Sequence, residues 1–131
     1  MPIELISLRK IDTIPESAYK VLVTRRYPFY IKGIKAKINE WVSILAPKKE
    51  LFKSYKEELK RTKNPKLAWN LSRFDTYFRL NILHNPNTMA ELKRIRDMSR
   101  SGRLVYLISH EAEDEYSHRK ILRELMEKFE L

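Results

Sequence analysis

The sequence contains no cysteine and only two glycines among its 131 residues. A chain without cysteine has no disulfide, no thiol nucleophile and no thiolate metal ligand. No apolar run approaches the roughly 20 residues that a membrane-spanning helix needs, and no secretory signal opens the chain. We therefore expect a soluble cytoplasmic protein that does not associate with a membrane.

Positive charge is in excess, with 27 Lys and Arg residues against 17 Asp and Glu residues and a net charge of +10. An excess of this kind favours polyanions such as nucleic acid or phosphorylated ligands, but it does not distinguish between them. Charged residues make up 34% of the chain, a proportion that also suits the surface ion-pair networks of a heat-adapted protein.

The length and the 43% of hydrophobic residues suit a single domain over residues 1–131. Residues 3–8, 19–24 and 103–109 are rich in β-branched and aliphatic side chains and predict strands. The last two runs are almost continuously apolar, which is typical of parallel strands covered by helices on both faces.

Helical spacing of apolar residues fills the rest of the chain. The predicted helices are marked by residues 34–45, 51–59, 64–82, 88–102 and 121–129. Asn64 and Pro65 form a cap and first-turn pair, and Thr88 with Glu91 forms a capping box. We expect an α/β fold in which a small, mostly parallel sheet of three or more strands is flanked by about five helices.

Ligands of such folds usually bind outside the carboxyl ends of the strands, so the turns after Thr24 and Ser109 are the candidate site. Glu111 directly follows the last strand, and His118 lies on the inner stripe of the final helix. They form a candidate catalytic pair, in which the carboxylate orients an imidazole that exchanges protons. The alternative is that the acidic run favours the helix N-terminus and His118 is a half-buried structural histidine.

Arg25 and Arg26 follow the second strand and are candidates for binding a phosphate or carboxylate, or else flank a turn held by Pro28. A basic stripe along one predicted helix is either a nucleic-acid contact or an ordinary solvated face. It consists of Lys49, Lys53, Lys56 and Lys60, interleaved with Glu50, Glu57 and Glu58.

The histidines His84 and His110 raise the question of a metal site. Their spacing relative to His118 lacks the i, i+4 pair of an H-E-x-x-H zinc site. The chain also contains no glycine-rich phosphate loop and no recognisable DNA-reading motif. We therefore expect neither a metal nor a cofactor.

Two sequence blocks resemble the YeaO-like short branch of DUF488, a family named for a domain of unknown function. The first resembles Y-R-V-L-V-D-R-L-W-P-R-G and the second W-x4-A-P-S-x-E-L. The matching residues are Tyr19, Val21, Leu22, Val23, Arg25 and Pro28 in the first block, and Trp41, Ala46, Pro47, Glu50 and Leu51 in the second.

A third element of the wider family, L-x-C-x-E-x6-H-R, is matched by Glu111, His118 and Arg119. The resemblance implies an α/β domain and favours a functional pocket in which Arg119 joins Arg25 as an anion-binding residue. It implies no particular reaction, and the oligomeric state stays open.

The sequence departs from the family pattern at several positions of the implied pocket. Thr24 stands where an acidic residue is usual, Phe29 and Tyr30 replace an R-G pair, and Ser109 and Ser117 stand where cysteines are common. Phe78 and Asn81 occupy positions where a tyrosine and a glutamate are frequent. These changes imply an altered substrate or a lost activity.

Three functions are consistent with these features. The first is binding of an anionic small molecule, with or without catalysis, by Arg25, Glu111, His118 and Arg119. The second is nucleic-acid binding by Arg25, Arg26 and the lysine stripe. The third is an accessory domain that binds another protein, in which the polar turn serves only the fold.

Overall fold

The computed structural model describes residues 3–110 and 116–128. In this part of the chain, four strands form one sheet. They are β1 (Ile3–Ser7), β2 (Tyr19–Leu22), β3 (Glu40–Trp41) and β4 (Val105–Ser109). The order is β1-β4-β2-β3, and every neighbouring pair is parallel. The carboxyl ends of β1, β2 and β4 therefore meet at the same edge of the sheet.

Six α-helices and two 3-10 helices, counted over the described residues, surround the sheet. The α-helices are α1 (Ile34–Lys37), α2 (Lys49–Thr62), α3 (Pro65–Leu71), α4 (Phe74–Leu83), α5 (Pro86–Arg100) and α6 (His118–Lys128). The 3-10 helices span Leu8–Thr13 and Ser43–Leu45. Within the described ranges, no helix combines the length and the apolar character needed to span a bilayer.

The sheet is buried on both faces. On one face, Val21 and Leu107 pack in a large apolar cluster with side chains of α4, α5 and α6. On the other face, Leu22 and Ile108 pack in a smaller cluster with residues of the first 3-10 helix and Ile34 of α1. Burial on both faces explains why the strand sequences are almost continuously apolar, and it confirms the predicted α/β fold.

The segment predicted as one helix over residues 34–45 is divided into three elements, which corrects the prediction. After the short α1, Ile38 adopts an extended conformation, and the chain enters β3. Backbone hydrogen bonds from Asn39 to the Lys20 carbonyl and from Val42 to the Leu22 carbonyl attach this segment to β2. Pairing with the edge of the sheet therefore overrides the helical spacing.

The predicted helix over residues 64–82 is interrupted between α3 and α4, where Arg73 adopts a left-handed backbone conformation. Asn64 caps α3 as predicted, its side chain accepting a hydrogen bond from the Leu67 amide. The capping box at Thr88 was a wrong prediction, because α5 begins at Pro86 with Asn85 as its cap. The Thr88 hydroxyl instead donates to the backbone carbonyls of Ile82 and Asn85.

A polar network attaches the edge strand β3 to α5. Arg94 of α5 donates two hydrogen bonds to the carboxylate of Glu40, which also accepts one from the Tyr19 hydroxyl. The Arg94 guanidinium lowers the pKa of Glu40 below its ordinary value, although partial burial acts in the opposite direction. The pKa of Tyr19 is raised above its ordinary value, mainly by burial and to a smaller extent by the Glu40 carboxylate.

Candidate functional site

A cavity of about 420 Å³ opens at the carboxyl ends of β2 and β4. This volume is in the range of roughly 300–1,000 Å³ that is common for small-molecule sites. The turn after β2, the end of β4, the start of α6 and two apolar residues form its walls. The lining residues are Thr24, Arg25, Arg26, Pro47, Phe52, Ser109, His110 and His118.

Arg25 and Arg26 supply positive charge to this cavity, and both are exposed. Their turn is held in shape by two hydrogen bonds. The buried Thr24 hydroxyl donates to the Arg26 carbonyl over 2.8 Å, and the Trp41 indole Nε1 donates to the Thr24 carbonyl over 2.7 Å. Two arginines carried by this braced turn at one cavity mouth are suited to bind a phosphate or carboxylate group.

His118 is the first residue of α6 and is buried, with 4% of its surface exposed. Its Nε2 atom lies 2.7 Å from the Val23 carbonyl oxygen, and its ring packs edge-on against Phe78. Since a carbonyl can only accept a hydrogen bond, Nε2 carries a proton. In the neutral ring Nδ1 is then the basic nitrogen, and it is buried.

Glu111 and Arg119 are the other two residues of the predicted site, and the structure describes only Arg119. Glu111 lies outside the described residues. Arg119 is buried next to His118, and its guanidinium donates to the backbone carbonyl of Ile6 and, over 3.0 Å, to the Ser117 hydroxyl. Arg119 is not among the residues that line the cavity. These contacts fasten α6 to β1, which favours a positioning role.

A second cavity of about 220 Å³ adjoins the first, since both are lined by Phe52, His110 and His118. Its remaining walls are rich in aromatic side chains. Trp69 is stacked on the buried Phe74, and their ring centroids are 4.2 Å apart. The ring centroids of Tyr116 and Trp69 are 5.4 Å apart. The second cavity therefore offers flat apolar surfaces beside the cationic first cavity.

His110 lies where the two cavities meet, directly after β4. Its Nδ1 atom is 3.0 Å from the hydroxyl of Tyr30, and the two rings are nearly parallel. The Ser7 hydroxyl donates to the His110 carbonyl, so the end of β1 also supports this turn. Tyr30 is one of the departures from the family pattern, and it contacts the site from the turn after β2.

The lysine stripe lies on α2, and all four of its side chains are exposed. Lys56 alone of the four lines the second cavity, where its ammonium group lies 5.1 Å from the centre of the Phe52 ring. The stripe therefore adjoins the candidate site at one point.

His84 lies at the end of α4 and does not line either of the two cavities. Over the described ranges, we find no group of three or more His, Asp or Glu side chains that could hold a metal ion.

Several cavity residues were not predicted from the sequence. His110 was considered only as a metal ligand, and Phe52, Trp69 and Phe74 lay within predicted helices without a predicted role in the site. Pro47 was predicted only as part of the W-x4-A-P block. The sequence carried a signal for two of these residues. His110 directly follows an apolar strand, and Pro47 belongs to the most specific block of the family resemblance.

Comparison with protein-family models gives a match over residues 3–130 to a model described as the active DUF488-N3 subclade. The chain belongs to the DUF488 family. No curated protein and no solved structure matches this DUF488 chain. The matched model is that of the N3 subclade, and assignment to the YeaO-like branch stays a prediction.

The W-x4-A-P block of this DUF488 protein has a structural role in the site. Trp41 braces the turn that carries Arg25 and Arg26, and Pro47 forms part of the cavity wall. Ser109 and Ser117, which stand at the positions of the common cysteines, line the first and the second cavity respectively. Residues of all three family blocks therefore line the two cavities, although Arg119 of the third block does not.

Proposed function

We propose that this DUF488 protein binds a small anionic molecule in the cavity at the carboxyl ends of β2 and β4. The observation that carries the proposal is the common cavity lined by Arg25 and Arg26 after β2, by His110 after β4 and by His118 at the start of α6. Residues that are distant in sequence, two of them cationic, converge on one concave space at the usual ligand-binding edge of an α/β sheet.

Arg25 and Arg26 bind the anionic group in this proposal. Guanidinium groups donate paired hydrogen bonds to phosphate or carboxylate oxygens, and these bonds are stronger than bonds between neutral groups. The hydrogen bonds from Thr24 and Trp41 hold the turn before the ligand arrives, which reduces the ordering cost of binding. Arg119 acts at a distance by keeping α6, and with it His118, against β1.

The catalytic version of the proposal assigns proton transfer to His118, with Glu111 as its partner. Two observations support it: His118 lines the cavity, and its Nε2 atom is committed to the Val23 carbonyl. The matched subclade is described as active, which also favours catalysis. In this version His118 exchanges a proton with the bound molecule.

The proposal is tested by calorimetric titration of pyrophosphate into the native protein and into the double variant Arg25→Gln/Arg26→Gln. Loss of two charged donors should weaken binding about tenfold or more. The matched control is Lys93→Gln/Arg100→Gln, which removes the same charge from exposed positions on α5. Equal weakening in both variants would mean that net charge, and not this cavity, attracts the anion.

Nucleic-acid binding is a second candidate, and one observation favours it. The four lysines of α2 form an exposed row that reaches the second cavity at Lys56. A row of this kind suits contacts with a phosphate backbone, whose strength falls steeply with salt. Nucleic acid that binds with no competition from pyrophosphate would favour this candidate over the cavity.

A further inference from the structure

We propose that the anionic ligand is a nucleoside phosphate, with its base in the second cavity and its phosphate at Arg25 and Arg26 in the first. This inference rests on the proposed function, because it assigns a chemical class to the molecule bound in that site. Its basis is the direct contact between a cationic cavity and an aromatic one, which share Phe52, His110 and His118.

The second cavity has preformed surfaces on which a planar ring can stack. Trp69 is held by Phe74, which is 1% exposed, at a centroid distance of 4.2 Å and an interplanar angle of 24°. Tyr55 meets the edge of the Trp69 ring at 84° and restricts its rotation. Tyr116 completes this wall and is partly exposed. Fixed aromatic rings stack on bases of any sequence, because each base has a π-face.

Polar groups between the two ends suit the sugar of such a ligand. His110 lies at the junction of the cavities, and Ser117, which carries a hydroxyl group, lines the second cavity. Lys56, over the Phe52 ring, adds a positive charge near the base end. An inorganic anion would use only the first cavity, whereas a nucleoside phosphate would use both.

Two sources could supply this chemistry: a free nucleotide or the 5′-phosphorylated end of a single strand. The exposed rings of Phe29 and Tyr30 lie on the turn after β2, and Tyr30 contacts His110. A strand could extend across these rings, but a mononucleotide could not. The affinity for AMP is therefore compared with the affinity for a 5′-phosphorylated hexanucleotide. Tighter binding of the hexanucleotide identifies a strand end as the source.

The test is calorimetric titration of AMP, ribose 5-phosphate and pyrophosphate into the native protein and into Tyr116→Ala. We expect AMP to bind about tenfold more tightly than ribose 5-phosphate, because only AMP carries the stacking base. Tyr116→Ala should remove most of this advantage and leave the affinity for ribose 5-phosphate unchanged. The matched control is Tyr77→Ala, which removes an exposed tyrosine of α4 that lines neither cavity.

A second readout uses the tryptophan fluorescence of the native protein, and the part that comes from Trp69 is identified as the response lost in Trp69→Phe, since the chain has two tryptophans. AMP should quench this emission, whereas ribose 5-phosphate should not. Equal affinities for AMP and ribose 5-phosphate, together with pyrophosphate binding that depends on Arg25 and Arg26, would overturn this inference and leave the proposed function intact. Absence of binding by all three probes would overturn both.

Discussion

The Nε2 atom of His118 lies 2.7 Å from the backbone carbonyl oxygen of Val23, a residue 95 positions earlier in the chain. This hydrogen bond joins the start of α6 to the end of β2, directly before the turn that carries Arg25 and Arg26. The same side chain therefore lines the cavity and holds together the two elements that form it.

Replacement of His118 should consequently lower stability as well as affect binding. His118→Ala removes the partner of a buried carbonyl, so we expect the free energy of unfolding to fall by about 1–3 kcal/mol in urea titrations. His84→Ala, which alters an exposed histidine, should change it by less than about 0.5 kcal/mol. A stability loss in His118→Ala, with no shift of the native melting temperature on adding pyrophosphate, would reduce His118 to a structural residue.

Arg119→Met separates a positioning role of this arginine from an anion-binding role. Methionine keeps a long side chain but leaves the Ile6 carbonyl and the Ser117 hydroxyl without the guanidinium donors. We expect the free energy of unfolding to decrease by about 1–3 kcal/mol, while the affinity of the folded protein for pyrophosphate stays within about twofold. Unchanged stability with about tenfold weaker binding would instead assign Arg119 to the ligand.

Acid should weaken the attachment of β3 to α5. The pKa of Glu40 is lowered by Arg94 in the folded protein, so the unfolded chain takes up a proton more readily as the pH falls. The stability that Glu40 contributes is complete above the unfolded pKa of about 4.3, and it disappears as the pH falls through the lower folded pKa.

Glu40→Gln tests this dependence on pH. The variant should be less stable than the native protein by about 1 kcal/mol at neutral pH, since the pair with Arg94 is partly screened by solvent. The difference should shrink in acid, as measured by urea unfolding across a pH series. A difference that is constant with pH would show that the Glu40 carboxylate does not contribute through its charge.

The lysine stripe of α2 predicts the salt dependence of any nucleic-acid binding. Lys49→Gln/Lys53→Gln/Lys60→Gln should reduce the slope of log affinity against log salt, because fewer counterions are released. Lys56 is left in place because it also lines the second cavity. Fluorescence anisotropy with a labelled oligonucleotide measures the slope, and an unchanged slope would remove α2 from this role.

Much of the fold follows from local patterns. The apolar runs around Val21 and Leu107 are strong strand signals because each residue packs against a covered face of the sheet. Asn64 and Pro65 start a helix through purely local chemistry. The segment around Glu40 was predicted incorrectly because its conformation depends on pairing with β2, a contact that helical spacing does not encode.

The candidate site was predictable only in part. Arg25 follows a strand end and His118 lies on the inner stripe of a helix, so their positions follow from topology. The aromatic wall did not, since Trp69 and Tyr116 come together only through the packing of α3 beside the start of α6. The burial of Arg119 was also not evident, because an arginine in an exposed pattern and one bonded to a backbone carbonyl look alike in sequence.

The most direct test of anion binding in the cavity is to map backbone amide shifts by NMR while pyrophosphate is titrated into the ¹⁵N-labelled protein. We predict saturable shifts that are largest at Arg25, Arg26 and His110, since these residues line the first cavity. The amides of Lys49 and Lys53 on α2 should move little. Shifts that fail to saturate, or that are largest along the lysine stripe, would contradict the proposed site.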